Sequence, residues 1–215
     1  MIRLRASNLD AWVRFIEPER PEFEVSAEDF IAQLRGEMEP NDAMLSGTAF
    51  HSLLERLRVG AVVANDGLEV DGFRFFFDAD YDLAIPAVRE VQAPERLFLT
   101  PSGPVVLTGR PDARDGFTVT DYKLTGRFDA ERYGDSLQWR TYLLLAGCRR
   151  FRYVAFECKR KERDVFIHSV HELDFWRYEG MEADVERRVA ELAEFVAAHV
   201  PEMVTEEPIL KEAVA

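Results

Sequence analysis

Apolar and polar positions change their spacing along this chain. Up to Gly60 the apolar residues recur every three to four positions, the spacing of helices buried on one face. Three helices are expected there. The first is capped by Ser7 and runs to about Phe15. The second is capped by Ser26, with Asp29 at its third helical position in place of the Glu of a full capping box. The third spans about Leu45 to Arg58 and is ended by Gly60. From Leu68 the spacing becomes strand-like. Leu68–Phe77, Arg89–Leu99, Val105–Arg114 and Phe117–Leu124 are predicted strands, separated by Pro and Gly. Asp135 or Ser136 caps a further helix that ends at Gly147. Strands Phe151–Cys158 and Val165–Leu173 follow. A last helix spans Met181–His199, with Val185, Val189, Leu192 and Val196 on one face. This order predicts an α+β, or mixed α/β, fold in one domain over residues 1–215, with a mixed sheet flanked by helices.

Composition narrows the class. The 215 residues are 47% hydrophobic and 31% charged, which suits a globular core and leaves no apolar run long enough for a membrane helix. No secretory signal is seen at the N-terminus, and the two cysteines, Cys148 and Cys158, form no Cys-x-x-Cys pair. A reduced, cytoplasmic protein is expected. The net charge of -13 argues against a nucleic-acid partner, because phosphate binding needs basic surface. Its distribution argues the other way. Residues 109–163 carry 13 Lys and Arg against 8 Asp and Glu, whereas the rest of the chain carries 14 against 32. The acidic segment from Asp164 onward is expected to face away from any nucleic acid.

The basic segment also holds the sharpest candidate chemistry. Asp115-Gly116 predicts a two-residue type I′ hairpin, pairing 114 with 117, 112 with 119 and 110 with 121. Asp112, Asp121 and Lys123 then share one face, with the carboxylates as diagonal neighbours roughly 7–8 Å apart at Cα. Two carboxylates at that separation can converge on one cation, and a lysine one pleat away can steady a water or a developing charge. An exposed Asp/Lys ladder on a solvated sheet face would show the same spacing. Pro111 lacks an N–H, so its outer side must be an edge or bulge.

Pro111-Asp112, then Asp121-Tyr122-Lys123, resembles the signature of the PD-(D/E)XK nuclease superfamily. Three further segments resemble its RecB-type exonuclease branch. Gly47-Thr48-Ala49-Phe50-His51-Ser52-Leu53-Leu54-Glu55 is similar to a Gly-x-x-x-His-x-x-x-Glu helix. Leu107–Asp112 and Val119–Gly126 are similar to its two Asp-bearing strands, with Leu124 intervening before Thr125-Gly126. Gln138-Trp139-Arg140-Thr141-Tyr142 is similar to a Gln-x-x-x-Tyr helix. The likeness covers roughly Gly47 to Tyr142 and implies a restriction-endonuclease-like core. The four-cysteine iron–sulfur site of some relatives is not expected with two cysteines.

The resemblance implies a divalent-metal-dependent deoxyribonuclease, an exonuclease of recombination, repair or phage DNA processing. Asp112, Asp121 and Lys123 would be catalytic. His51, Asp112, Asp121 and the Tyr122 backbone carbonyl would bind Mg²⁺ or Mn²⁺, the imidazole favouring Mn²⁺. Gln138, Tyr142 and Arg110 would support the substrate, with Glu55 a weaker candidate and Glu90 a remote one. Arg127, Arg132, Arg140 and the Lys159-Arg160-Lys161 run are candidate phosphate contacts, the last better read as a charged turn. The expected partner is DNA, with a homo-oligomer or a recombination protein also possible and no membrane. Two rival readings share these residues: a non-catalytic nucleic-acid- or protein-binding module on the same fold, and an acidic interaction protein. The Asp/Asp/Lys set opposes the first, and the basic central segment opposes the second.

Overall fold

Ile2 and Leu4 are buried while Arg3 and Arg5 face solvent, so the chain begins as a short strand before its first helix. The structure, a computed structural model, describes residues 1–18, 24–57, 62–63, 67–78, 81–82, 88–89 and 92–205. Gly60 and Glu90 lie outside the described residues. The elements in order are β1 (Ile2–Arg5), α1 (Ala6–Ile16), α2 (Ala27–Arg35), α3 (Asp42–Arg56), β2 (Val62–Val63), β3 (Leu68–Val70), β4 (Phe73–Phe77), β5 (Tyr81–Asp82) and β6 (Val88–Arg89). Then come β7 (Arg96–Thr100), β8 (Gly103–Thr108), β9 (Ala113–Asp115), β10 (Thr118–Thr125), α4 (Ala130–Asp135), α5 (Leu137–Ala146), β11 (Arg150–Lys161), β12 (Asp164–Trp176) and α6 (Met181–His199).

The fold is mixed α+β, as the element order predicts. A seven-stranded sheet runs β3-β4-β12-β11-β10-β9-β6, and a three-stranded sheet runs β1-β8-β7. β10 pairs β11 in parallel, β11 pairs β12 antiparallel, and β12 pairs β4 in parallel. One face of the large sheet buries Val119, Phe151 and Tyr153 against α1, α5 and α6, together with Leu4 and Leu107 of the small sheet. The other face buries Tyr122, Val154 and Phe156 against Phe50, Leu53 and Leu54 of α3. Among the described residues no helix is long and apolar enough to cross a membrane.

Several expected boundaries move. Ser7 lies inside the first turn of α1. Arg5 is the N-cap, and its N–H donates to Asn8 Oδ1 at 2.8 Å. Asn41 caps α3, which begins at Asp42, three residues ahead of the expected start. Ser26 and Ser136 cap α2 and α5 as predicted, and Gly147 ends α5 with a positive φ of 63°. The predicted strand Arg89–Leu99 is two strands in different sheets. Pro94 lies between them, and Ala93 N–H donates instead to Gly109 O. Lys159-Arg160-Lys161 is the exposed end of β11 rather than a turn.

The hairpin needs the largest correction. Val105–Arg114 is not one strand: β8 ends at Thr108 in the small sheet, and β9 begins at Ala113 in the large one. Gly109 and Pro111 occupy the crossing. A Cβ on Gly109 would meet Tyr142 Cε1 and Leu145 Cδ1 at 2.9 Å, so only glycine fits this approach to α5. The β9–β10 register pairs Asp115 with Thr118 and Ala113 with Thr120, a shift of one residue on each strand that moves every partner by two. Gly116 has a φ of 53°, but neither Asp115 nor Phe117 has a positive φ, which excludes type I′.

Candidate active site

β10 runs beside β11 along its whole length, but on its other edge β9 covers only Thr118–Thr120. Among the described residues no strand covers that edge further on. The first N–H left there, that of Tyr122, donates to Asp112 Oδ2 at 2.7 Å. A side chain thus takes the place of a ladder partner. It also anchors Asp112, although Pro111 and Gly109 have ended the strand before it. The N–H and C=O of one strand residue point to the same side, so the Tyr122 carbonyl points to the edge that Asp112 lines.

Asp121 and Lys123 alternate onto the sheet face covered by α1 and α5. Lys123 Nζ lies 2.6 Å from Asp121 Oδ2, and Asp121 is 2% exposed. From the opposite layer, α3 presents His51 Nδ1 at 3.4 Å from Asp112 Oδ1. The structure therefore gathers His51, Asp112, Asp121 and Lys123 around one edge of β10. Phe50 fixes the height of α3 by packing on Phe75 and Phe156, at 5.5 and 4.8 Å between ring centroids. Arg89 closes its C-terminus, donating from Nη1 to the carbonyls of Leu54, Glu55 and Leu57.

Burial pushes the Asp121 carboxyl up to about 6, and the Asp112 charge adds to this while Lys123 and His51 oppose it. Burial works against charge on Lys123 as well, but the Asp121 and Asp112 carboxylates outweigh it and hold the ammonium above its ordinary range. Burial likewise works against a charged His51. Its hydrogen bond to Asp112 and the nearby carboxylates win, so its pKa is raised. At neutral pH Lys123 is a donor and a positive charge, not a base.

The donor set suits a hard divalent cation: two carboxylates, an imidazole and a backbone carbonyl. Asp121 Oδ2 is buried, and apart from its 2.6 Å contact with the Lys123 ammonium it has no hydrogen-bond partner. A buried anion left in that condition is what a bound cation would satisfy. As the side chains stand, no three His, Cys, Asp or Glu among the described residues are close enough together to hold a metal ion.

The remaining candidates fall in two groups. Gln138 lines a cleft of about 770 Å³ together with Lys123, Arg14, Arg132 and Tyr133. Asp184, Arg187 and Arg188 line it too, so part of the acidic segment expected to face away borders the candidate site. Tyr142 turns into the core, and its hydroxyl donates to Arg110 O at 3.2 Å. Arg110 precedes β9 and is not paired with Asp121 as predicted. Glu55 is exposed, one turn beyond His51. Arg140 is occupied structurally: its guanidinium donates to the carbonyls of Gly134, Asp135 and Ser136 and lies over Trp139. The sequence patterns did not single out Arg89 or Tyr153, whose places depend on pairings between distant strands.

No family model matches the chain, and no curated protein does. Solved structures do resemble it. The protein SSO0001 is 14% identical with a TM-score of 0.52, covering 91% of this chain and 77% of that one. A candidate exonuclease from Eubacterium rectale is 10% identical with a TM-score of 0.50, covering 99% and 91%. The alkaline exonuclease LHK-Exo from Laribacter hongkongensis is 12% identical with a TM-score of 0.40, covering 94% and 95%. At these identities the first two show a shared fold: a mixed sheet flanked by helices, common to this chain and a candidate exonuclease.

Proposed function

We propose that this chain is a divalent-metal-dependent nuclease of the PD-(D/E)XK type, hydrolysing phosphodiester bonds in DNA as an exonuclease of the RecB-like branch. The observation that carries this reading is the convergence of His51, Asp112, Asp121 and Lys123 on the uncovered edge of β10. The fold shared with a candidate exonuclease supports it.

Asp112, Asp121, His51 and the Tyr122 carbonyl would hold Mg²⁺ or Mn²⁺. When bound, such an ion acidifies water and neutralises charge on the scissile phosphate. Lys123, fixed as an ammonium, would orient the attacking water and oppose the charge that builds on the phosphate oxygens. A cation held there would take over from Lys123 the task of keeping the buried Asp121 ionised. Gln138 would contact the substrate strand from the wall of the cleft. Tyr142 would act indirectly, holding the Arg110 carbonyl and so the approach to Asp112.

The test is incubation of linear and circular DNA, single- and double-stranded, with Mg²⁺ or Mn²⁺ and with EDTA. Metal-dependent degradation that spares circles is the expected result. Degradation that persists in EDTA would refute the metal-dependent reading, and cutting of circles would refute the exonuclease one.

A further inference from the structure

Lys123 does not depend on Asp121 alone for its position. On the neighbouring strand β11, Tyr153 is the register partner of Asp121, and Ala155 is that of Lys123. Parallel partners share a face, so the Tyr153 ring stands beside the lysine while Ala155 leaves room for its stem. Lys123 Nζ lies 5.9 Å from the Tyr153 ring centroid. The ring is wedged, with Phe151 and Phe175 edge-on at 4.6 and 6.0 Å and Tyr133 tilted against it at 4.9 Å.

The far end of Tyr153 is tied down as well. Its hydroxyl lies 3.2 Å from Ser136 Oγ. Ser136 Oγ accepts from Gln138 N–H at 3.2 Å and donates to Asp10 Oδ1 at 2.6 Å. A serine hydroxyl has one proton and two acceptor sites. Its proton is committed to Asp10, so the Tyr153 hydroxyl must donate to it. Arg14 Nη1 holds the other Asp10 oxygen at 2.7 Å. The chain Arg14, Asp10, Ser136, Tyr153 thus joins α1, the start of α5 and β11 into one support beside the lysine.

We propose that Tyr153, oriented through Ser136 and Asp10, is a positioning residue that fixes the Lys123 ammonium for the reaction. This rests on the nuclease reading of the site. The ring offers the ammonium an electron-rich surface, and the hydroxyl tether stops the ring from turning away. Asp10 contributes negative charge without touching the lysine.

The test compares wild type with Tyr153→Leu, Tyr153→Phe and Ser136→Ala. It uses steady-state kinetics on one DNA substrate in Mn²⁺, with Mn²⁺ affinity measured by calorimetry. A misplaced catalytic group can cost on the order of 100-fold, so Tyr153→Leu should lower kcat by about 10–100-fold. KM and Mn²⁺ affinity should stay near wild type. Tyr153→Phe keeps the ring and should recover most of the loss, with Ser136→Ala close to it, each roughly threefold below wild type. Unchanged kcat in Tyr153→Leu, or Mn²⁺ affinity falling in step with kcat, would overturn the proposal. If Tyr153→Leu does not fold, wild-type kcat in both milder variants overturns it. A second readout needs no activity: the Lys123 ε-methylene NMR signals should carry a ring-current shift that Tyr153→Phe preserves. A wild type with no cleavage would refute the nuclease reading. A missing ring-current shift in a cleaving wild type would refute only the role of Tyr153.

Discussion

At the scale of single residues, the site depends on which side chains share a face. Asp121 and Lys123 were legible because residues two apart on a strand point the same way. Asp112 was legible for a less obvious reason. The predicted hairpin register was off by one residue on each strand, a shift that leaves face-sharing unchanged. What one sequence could not show is that Asp112 lies just ahead of the first residue of β9 and replaces a strand by taking the Tyr122 N–H. Glu55 matched the helical spacing but is exposed beyond His51. Two predictions belong here. Lys123→Ala should lower kcat by about 10²–10³-fold, the usual cost of a lost transition-state donor, and leave Mn²⁺ affinity near wild type. Parallel loss of metal binding would assign the lysine to the metal site instead. Gly109→Ala forces a Cβ to within 2.9 Å of Tyr142 and Leu145. It should cost about 1–3 kcal/mol in denaturant unfolding. It should also reduce cleavage, because Gly109 leads into Asp112.

At the scale of elements, helices were easier to foresee than strand partners. Met181–His199 and the Ser136 and Gly147 ends of α5 follow from local chemistry, namely an apolar stripe, a hydroxyl cap and a left-handed glycine. Strand pairing is not local. The type I′ Asp-Gly turn predicted at 115–116 occurs at Asp71-Gly72, where both φ are positive, 50° and 79°, between β3 and β4. The sequence pattern ran Leu68–Phe77 as one strand straight across this dipeptide and placed the turn only at 115–116, so the β3–β4 hairpin was missed. β1 alternates strictly, but its four residues were hidden by the helix that follows. α3 carries His51 into the site and is clamped by Arg89. Arg89→Met should cost about 1.5–3 kcal/mol, the range for hydrogen bonds to a charged group. It should also weaken Mn²⁺ binding by loosening α3. Stability lost with metal affinity intact would show that α3 is held by the Phe50 packing alone.

For the whole molecule, the metal-free protein carries a buried carboxylate that resists ionisation. The Asp121 pKa is raised from 3.8 to about 6. A raised acid favours folding below its unfolded value, and that contribution is lost as pH rises through about 6. Saturating Mn²⁺ should reverse the loss, contributing about 2.7 kcal/mol at a concentration of 100 Kd. For a chain of this size that is roughly 5–10 °C in Tm. Because binding releases protons, the gain should be larger at pH 7.5 than at pH 5. A gain independent of pH, or one retained in Asp121→Asn, would place the metal elsewhere. The proposed DNA substrate would meet an overall charge of -13 and a cleft of mixed charge beside Lys123. Binding should therefore be salt-sensitive and confined to the basic part of the surface. The most direct test of the central claim is cleavage of linear single- and double-stranded DNA in Mn²⁺ by wild type and by Asp121→Asn, with folding of both confirmed. Cleavage by wild type that the variant lacks is the predicted result. Equal cleavage by both, or none by a metal-loaded wild type, would contradict it.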